Sequence, residues 1–563
     1  MNDRRLLMAL GLIMVIALLP EFLIKRAAPK LGMVTKHDTA VASSTPAEVP
    51  ATSPADSVAR QSQVPGAAPV VPAVAADTVV VRSSLYRYAI STRGGTIISS
   101  RFLHYQSMAE ADHRDTLELL PPDAGLLGGT LIAGNDTIHL DQINFTASAD
   151  SLNAPASLTL HGQSGSYAID LTYQFSGNDY EVAGTGKVTG LGPTGGLLLV
   201  GFGNGFRPVE ANASDNAQVG LVTKLDKTSL TLFGKLKPRQ LLQVSGPFEW
   251  IAIKSKYFVA GLFSYDSAGQ TVKPNIVGVQ AFPSDTFSHP ARAHVAASIA
   301  VPADGGFHWR LYLGPMEYTR LHRMGRDFDD VNPYGWSWLR PVIRPIAVWI
   351  RAIFVWMHTA LGLGYGLVIV IFGLLVRILL WPLSRSAMRS MARMQAVQPE
   401  LTALQERYKD NPQLLQQETF KVYKEHKVNP LGGCWPMLLP YPVLVAVFFV
   451  LQYSIEVRGV SFLWMNDLSR LDPLYLIPII MAASMYAVSR IGQMGLPPNP
   501  QTKMMTWMMP IMMLVIFARF ASGLNLYYAV QNLTSIPQQW LVMKERRVMQ
   551  GSRPMPAPPK KKR

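Results

Sequence analysis

The stretch VIVIFGLLVRILLWPL, residues Val368–Leu383, decides the fold, because it is apolar enough to lie in a membrane and yet contains a fixed cation, Arg377. Arg377 is the only charged residue between Thr359 and Ser384. About 20 apolar residues are enough for a helix to cross a bilayer, so the full run Leu361–Leu383, to which this stretch belongs, predicts a transmembrane helix. An arginine near the bilayer centre costs roughly 2.5–3.5 kcal/mol on insertion scales and usually faces a partner, a bundle interior or a water-filled cavity.

The other uncharged runs of the chain offer Arg377 no carboxylate. None of them contains Asp or Glu; they are 431–455, 473–489, 504–518 and 520–543. Two interpretations stay open. The guanidinium reaches the nearer headgroups, about 9 Å along the helix at Ser384, or it wets an internal cavity that a polar segment of another molecule enters.

Composition and charge indicate an integral membrane protein with a soluble insert. Of 563 residues, 48% are hydrophobic and only 16% are charged, and the apolar residues concentrate at 6–24 and after 341. The tail 544–563 contains eight Lys or Arg and one Glu, the loop 385–427 contains eight basic and five acidic residues, and the loop 456–472 contains two and three. The positive-inside bias therefore places the first two segments in the cytoplasm and the third outside.

The N-terminal half predicts an anchor, a linker and a β-domain. Arg4 and Arg5 precede an apolar stretch without an A-x-A cleavage site, so residues 1–25 are predicted to form an uncleaved signal anchor with a cytoplasmic N-terminus. Residues 26–78, rich in Ala, Pro, Ser and Val, predict a flexible linker. Short alternating runs separated by turn signals over residues 79–325 predict a large β-sandwich, which lies in the periplasm if the first helix is an anchor.

The C-terminal half predicts membrane helices joined by polar segments. Residues 326–357 mix Trp and Arg with apolar residues, which favours a linker and a helix lying in the headgroup plane. The remaining prediction is transmembrane helix 2 at 358–383, a cytoplasmic helical hairpin at 384–430, transmembrane helix 3 at 431–455, a periplasmic loop at 456–472, transmembrane helix 4 at 473–489, a cytoplasmic loop at 490–503, transmembrane helices 5 and 6 at 504–519 and 522–543, and a basic cytoplasmic tail at 544–563.

The predicted fold class is thus a polytopic α-helical membrane protein with six transmembrane helices and an inserted all-β periplasmic sandwich domain. The runs at 473–489 and 504–518 would reach only about 25 and 22 Å as helices, short of the roughly 30 Å hydrocarbon core. We therefore expect the bilayer to be locally thinned around them.

Two groups of apolar side chains and one basic group each have two interpretations. The stripe in the hairpin is the seam between its helices or a docking face; its members include Met391, Met394 and Tyr408. The methionines of one short span pack ordinarily or form a slide for apolar segments of other proteins; they are Met504, Met505, Met508, Met509, Met512 and Met513. The basic tail binds anionic lipid or nucleic-acid phosphate, through Lys544, Arg546, Arg547, Lys560, Lys561, Lys562 and Arg563.

No catalytic set emerges from the sequence. It contains no G-x-S-x-G, H-E-x-x-H, phosphate-loop or Rossmann pattern, and its eleven histidines show no metal-ligand spacing. The single cysteine, Cys434, excludes an intramolecular disulfide and a cysteine metal site. These absences argue against an enzyme, a bound cofactor, a metal centre and a motor that hydrolyses nucleotide.

Five stretches in order and spacing resemble the YidC-type membrane protein insertases. They are Tyr334-Gly335-Trp336, VIVIFGLLVRILLWPL, KVNPLGGCWPML, FLWMNDLSRLDPLYLIP and SGLNLYYAVQNL, over about residues 330–545. STRGGTIISSRFLHY and LTYQFSGNDYEV also look like the periplasmic sandwich of the Gram-negative members.

This resemblance implies an insertase of the inner membrane that works without ATP. It implies six spanning helices, both termini in the cytoplasm, and a hydrophilic groove open to cytoplasm and lipid but closed outside. Arg377 matches the groove arginine and Tyr528 the groove tyrosine, whereas Pro440 replaces a glutamine of the Gram-negative pattern. The implied partners are nascent membrane proteins, a ribosome at the basic tail, the Sec translocon and the lipid bilayer, but not DNA.

Two other classes stay open at this point. A small-solute transporter or channel would place several polar residues along one path, and the sequence offers few. A membrane-anchored periplasmic carbohydrate-binding protein is compatible with a large sandwich, but the strands show no convincing pair of carboxylates or histidines.

Overall fold

The structure, a computed structural model, describes most of the chain after residue 76. The described residues are 77–112, 115–265, 273–274, 276–281, 292–332, 334–335, 338–382, 385, 397, 400–409, 411–426, 441–494 and 500–551. The predicted anchor at 1–25 and all but the last residues of the predicted linker at 26–78 lie outside these ranges.

The first part of the described chain is an all-β domain, as predicted. Twenty strands form a five-stranded sheet in the order β4-β3-β2-β1-β8, a nine-stranded sheet in the order β14-β13-β16-β17-β20-β11-β10-β9-β7 and a six-stranded sheet in the order β15-β18-β19-β12-β5-β6. The strands are β1 (Thr78–Arg82), β2 (Tyr86–Ser91), β3 (Thr96–Gln106), β4 (Thr116–Glu118), β5 (Gly129–Ala133), β6 (Asp136–His139), β7 (Thr146–Ala147), β8 (Ser151–Asn153), β9 (Ala156–Ser164), β10 (Tyr167–Phe175), β11 (Glu181–Thr189), β12 (Gly196–Gly201), β13 (Gly220–Lys224), β14 (Thr228–Leu232), β15 (Leu241–Ser245), β16 (Trp250–Lys254), β17 (Phe258–Tyr265), β18 (Ile276–Ala281), β19 (Ala293–Val301) and β20 (Gly306–Pro315).

Alternating apolar residues explain why these segments are strands. In β10, Ile169, Leu171, Tyr173 and Phe175 are buried, whereas the residues between them are partly or fully exposed. A period of two places such residues on one face of a sheet, where they pack into the core. That single core also contains Tyr86, Tyr88, Phe102, Trp250 and Tyr312.

The predicted end of this domain at residue 325 is too early. A short 3-10 helix, Phe328–Val331, follows it and is buried. The Phe328 ring packs edge-on against Trp250 and Phe263, at 5.0 and 4.9 Å between ring centroids. Gly261 lies directly under this ring, where a larger residue would collide with it. Residues 328–332 are therefore buried with the β-domain core and do not form a linker.

Nine labelled helices complete the described structure. They are α1 (Ala213–Asn216), α2 (Tyr318–Arg323), α3 (Arg340–Leu361), α4 (Tyr365–Leu379), α5 (Pro412–Glu425), α6 (Tyr441–Tyr453), α7 (Leu476–Gln493), α8 (Pro500–Phe517) and α9 (Ser522–Gly551). Residues 400–407 are also helical, and 3-10 turns occur at Glu110–Asp112, Leu140–Gln142, Phe233–Lys235 and Ile455–Val457.

Two predicted helix boundaries need correction. The boundary between the interfacial helix and transmembrane helix 2 was placed at 357/358, but α3 continues to Leu361 and α4 begins at Tyr365. Gly362 ends α3 in the left-handed conformation, with φ 65, which glycine adopts without steric cost. Helix α9 extends beyond its apolar run to Gly551. The predicted basic tail, which begins at residue 544, is therefore helical as far as Gly551.

Among the described residues, two helices are long and apolar enough to cross a membrane by length and composition, namely α3 and α7. Shorter apolar helices are α4, α6 and Lys503–Phe517. Helices α3, α4, α6, α7 and α9 share a second hydrophobic core, whose buried members include Ile369, Phe372, Val447, Leu524 and Tyr527.

Candidate groove between helices α4 and α9

Arg377 lies on the side of α4 that faces the other helices. Its row along the helix is Ile369, Gly373 and Arg377, spaced four residues apart, and the first two are buried in the bundle. The exposed side of the same helix carries only apolar residues, namely Leu367, Leu374, Leu375, Ile378 and Leu379. The cation therefore shares the packed face of α4 rather than the face that lipid would cover.

Helix α9 packs beside α4 in the same direction. Gly523 contacts Ile369, and Val530 contacts Gly373, two turns further along α9 and one turn further along α4. The Gln531 side chain donates a hydrogen bond to the Gly373 carbonyl over 2.8 Å. Arg377 follows Gly373 by one turn, so it lies level with the turn of α9 that follows Gln531.

That part of α9 presents a polar stripe, which we define as Tyr527, Gln531, Thr534 and Gln538. These residues recur at steps of four, three and four, so they share one face of the helix. Gln531 fixes the direction of the face, because its side chain bonds to α4. The Tyr527 ring lies against Gly373, one turn before Arg377 on α4.

The polar stripe was not predicted, although its spacing is visible in the sequence. Sequence reasoning named Tyr528 from the resemblance alone. Arg377 stands out in the sequence by its charge, whereas the uncharged polar groups within the run 520–543 do not. A count of polar residues at helical spacing would have found Gln531 and Gln538 on one face.

Several polar atoms along this contact are buried without hydrogen-bond partners. Among the described residues, they include Arg377 Nε, the Tyr527 hydroxyl and Gln538 Oε1, none of which makes a hydrogen bond of normal geometry. Leaving a buried polar group unsatisfied costs about 1–3 kcal/mol, and more when it is charged. Packing α4 against α9 here without water would therefore be unfavourable. The arrangement favours water or a polar group of another molecule between the two helices.

The loop on the opposite side of the bundle is buried under the β-domain. Arg458 Nε donates a bifurcated hydrogen bond to the two carboxylate oxygens of Glu210, over 2.9 and 3.1 Å. Arg351 of α3 donates to Glu456 over 2.6 Å and to the Met316 carbonyl over 2.9 Å. These hydrogen bonds hold the loop between α6 and α7 against the β-domain. The polar stripe lies further from this loop, toward the C-terminal end of α9.

Two family descriptions match the chain over adjacent ranges. Residues 78–348 match the YidC periplasmic domain, and residues 356–550 match the 60Kd inner membrane protein. Membrane protein insertase YidC of Chlorobaculum tepidum is 32% identical over 495 residues, which are 82% of this chain and 81% of the relative. The chain belongs to the YidC family of membrane protein insertases. The members of this family are inner-membrane proteins. The β-domain of this chain corresponds to the periplasmic domain of the family.

Other relatives cover different shares of the chain. Membrane protein insertase YidC of Chloroherpeton thalassium is 31% identical over 82% of both chains, and that of Pelodictyon phaeoclathratiforme is 36% identical over 67% of this chain and 66% of its own. The crystal structure titled active YidC insertase with the first transmembrane domain resolved is similar over 83% of this chain and 95% of that chain, with 18% identity and a TM-score of 0.34.

Tyr528, the groove tyrosine implied by the YidC resemblance, points to another neighbour. Its ring packs edge-on against Phe517 at the end of α8, with 5.0 Å between centroids, and against Tyr527 at 5.5 Å. It is adjacent to the polar stripe but belongs to the side of α9 near α8. Its place in the groove stays a prediction, whereas the Tyr527 ring lies against Gly373, one turn from Arg377.

The methionines of α8 are divided between bundle and surface. Met504 and Met505 are 41% and 39% exposed, Met508, Met509 and Met512 are half-buried, and Met513 packs against the second core. Helix α8 packs mainly on α7. A half-exposed methionine face fits the predicted slide, which stays a prediction.

The hairpin stripe is, where it is described, a seam between helices. Val397 and Leu401 pack against Val422 of α5 in a small core of their own. His426 and Glu400 join the same two segments over 2.8 Å. Tyr408 is half-buried at the end of the first segment. Met391 and Met394 lie outside the described residues, as do Cys434 and Pro440.

The basic tail begins inside α9. Lys544 is exposed, and its Nζ lies 3.5 Å from the centroid of the Trp540 ring. Glu545 pairs with Arg385, which ties the end of α9 to the start of the hairpin. Arg546 and Arg547 belong to the same helix, and the last four basic residues lie outside the described ranges. Binding of lipid or phosphate by this tail stays a prediction.

Proposed function

We propose that this YidC-family protein inserts nascent membrane proteins into the inner membrane through a hydrophilic groove between α4 and α9. The observation that carries the proposal is Arg377, placed on the packed face of α4 with a buried, unpaired Nε opposite the polar stripe. A resident carboxylate would neutralise this cation, but the described membrane helices offer none near it. The site is therefore suited to an anionic group that arrives with the client.

The groove lowers the barrier for a polar client segment. An unsatisfied polar group in hydrocarbon costs several kcal/mol, and a hydrated groove with Arg377, Gln531 and Thr534 on its walls avoids that cost for part of the path. Acidic residues of the client pair transiently with Arg377. The apolar segment of the client then leaves the half-exposed methionines of α8 for lipid, and its burial in the bilayer drives insertion without nucleotide hydrolysis.

The proposal includes the topology that the resemblance implies. Six helices span the membrane, both termini are cytoplasmic, and α3 lies at the periplasmic interface. Trp338 just before α3 and Trp349 and Trp356 on α3 are largely exposed, which supports the interfacial placement. The cytoplasmic hairpin receives clients, the basic tail contacts the ribosome or anionic lipid, and the Sec translocon is a further partner.

The test compares Arg377→Ala with Arg377→Lys in an insertion assay with a single-spanning client whose translocated tail carries acidic residues. We expect the alanine variant to insert this client at least about tenfold less well, equal to the loss of roughly 1.4 kcal/mol of stabilisation. The lysine variant should retain most activity because it keeps the charge. A matched client with a neutral tail should depend much less on residue 377.

Full insertion of the acidic client by Arg377→Ala, at normal protein levels, would remove Arg377 from the mechanism. Equal loss for acidic and neutral clients would instead indicate a structural role for the arginine.

A further inference from the structure

Three arginines form a row across the outer face of the five-stranded sheet. Arg82 of β1 lies directly opposite Arg87 of β2, and Arg87 lies directly opposite Arg101 of β3. All three are exposed, while Tyr86, Phe102 and their neighbours point to the core on the other face. Adjacent strands lie about 4.8 Å apart, so three guanidinium groups share roughly 10 Å of surface. We call these three residues the arginine row.

The arginine row is not neutralised by its own domain. Glu118 lies opposite Arg101, but its carboxylate already accepts from the Ser100 amide over 2.7 Å, the Leu120 amide over 3.2 Å and the Ser99 hydroxyl. It reaches Arg101 Nε at 3.4 Å. Within the described part of the chain, neither Arg82 nor Arg87 has a recorded ion pair. Like charges directly opposite each other destabilise a sheet, so the row favours an anion from outside.

The row lies toward the end of the sheet that meets the membrane helices. Leu103 follows Arg101 by two residues on β3 and is 47% exposed. At the end of β3, the Gln106 carbonyl accepts a hydrogen bond over 3.0 Å from Arg458, in the loop between α6 and α7. Five residues of strand separate Arg101 from Gln106, so the row lies within about 17 Å of that loop along the strand.

We infer that the arginine row binds anionic phospholipid headgroups of the outer leaflet. A guanidinium matches a phosphate through two parallel hydrogen bonds, and three in a row fit a surface of repeated phosphates. The exposed Leu103 beside the row favours lipid over a soluble acidic peptide, because it can enter the boundary between headgroups and acyl chains. The bound lipid relieves the repulsion within the row and holds the periplasmic domain down against the bilayer.

The experiment uses the full chain in nanodiscs, with Cys434→Ser as background and an apolar, environment-sensitive fluorophore on Leu103→Cys, on the same face of β3 as Arg101. Emission is compared between discs of phosphatidylcholine alone and discs that contain phosphatidylglycerol. We expect a blue shift in the anionic discs, which Arg82→Gln, Arg87→Gln and Arg101→Gln together abolish. A matched variant removes three positive charges elsewhere, at the exposed Lys235, Lys237 and Arg239 between β14 and β15, and should keep the shift.

Salt provides a second measurement that needs no variant. At about 0.5 M NaCl the Debye length falls to roughly 4–5 Å, so the shift of the unmodified row should disappear. The inference is overturned if anionic discs give no shift, if the shift survives the triple substitution, or if it resists salt. It is also overturned if an oligo-glutamate peptide shifts the emission in neutral discs while phosphatidylglycerol does not, since that result assigns the row to an acidic protein partner.

Discussion

Arg458 joins the periplasmic domain to the membrane helices through a buried ion pair. Its guanidinium also donates to the Gln106 and Val209 carbonyls, and its partner Glu210 is buried with it. Burial raises the pKa of Glu210 to about 7, against the opposing pull of Arg458. The pair therefore holds one specific arrangement of loop and domain rather than adding much net stability.

We expect Arg458→Ala to destabilise the β-domain by about 3–5 kcal/mol, because it leaves Glu210 buried without a partner. Thermal unfolding of the purified full chain measures this change. The double variant Arg458→Ala, Glu210→Ala should lose clearly less than the sum of the two single variants. Additive losses would show that the two side chains act independently.

Lys254 makes the stability of the domain depend on pH. Burial, and to a lesser degree the neighbouring Lys256, lowers the pKa of Lys254 to about 7, from an ordinary value of 10.5. Its Nζ donates to Asn332 over 2.7 Å. Between about pH 7 and 10.5 the unfolded chain binds a proton that the folded chain does not, so the free energy of unfolding should rise with pH in that window.

Lys254→Met should flatten this rise and stabilise the domain at pH 7, because no charged group then has to be buried. Chemical unfolding of both proteins at several pH values between 6.5 and 10 checks it. An identical pH dependence in the variant would assign the rise to other groups.

Sequence reasoning found Arg377 but not the residues around it. Its isolation in an apolar run is a property of composition, which the chain displays directly. Which of two adjacent tyrosines faces it depends on the rotation of α9, and neighbouring residues differ by about 100° around a helix. Gly373 sets that rotation by allowing Val530 and Gln531 to approach, which only the packed structure reveals.

At the scale of elements, close packing at Gly366 fixes how α4 begins. A side chain at Gly366 would overlap the Phe462 ring, which belongs to the loop between α6 and α7. Gly364, two residues earlier, has open space around it. The N-terminal end of α4 is thus held by a close contact that only glycine at position 366 allows.

Gly366→Ala should therefore destabilise the membrane bundle by about 1–3 kcal/mol, the usual cost of overpacking a core. The protein level and the thermal transition in detergent measure this loss. Gly364→Ala is the matched control and should change neither. If both variants behave alike, the predicted overlap with Phe462 is relieved by movement of the loop.

The elements themselves were largely predictable from the sequence, while their ends were not. Alternation predicted strands from residue 79, and the first strand begins at Thr78. The domain end was missed because Phe328 lies beyond the last strand, and only the packing of its ring over Gly261 makes it part of the core. The end of α3 was missed because Gly362 lies within a continuous apolar run.

At the scale of the whole molecule, short membrane helices should thin the bilayer. The 15 residues of α4 reach about 22 Å and the 18 residues of α7 and of α8 about 27 Å, less than the roughly 30 Å core. We expect insertion activity to be higher in bilayers with shorter acyl chains and to fall as chain length increases. Activity that rises steadily with bilayer thickness would contradict the predicted thinning.

The central claim is that water occupies the space between Arg377 and the polar stripe, and thiol labelling in membranes measures this directly. Thr534→Cys lies on the stripe, and Leu533→Cys lies at the same depth on an exposed, lipid-facing part of α9. In a Cys434→Ser background, a membrane-impermeant thiol reagent supplied from the cytoplasmic side should modify residue 534 at least about tenfold faster than residue 533, since only ionised thiols in water react readily. Equally slow modification at both positions would mean that the helices are dry where Arg377 lies, and the groove would have to be abandoned.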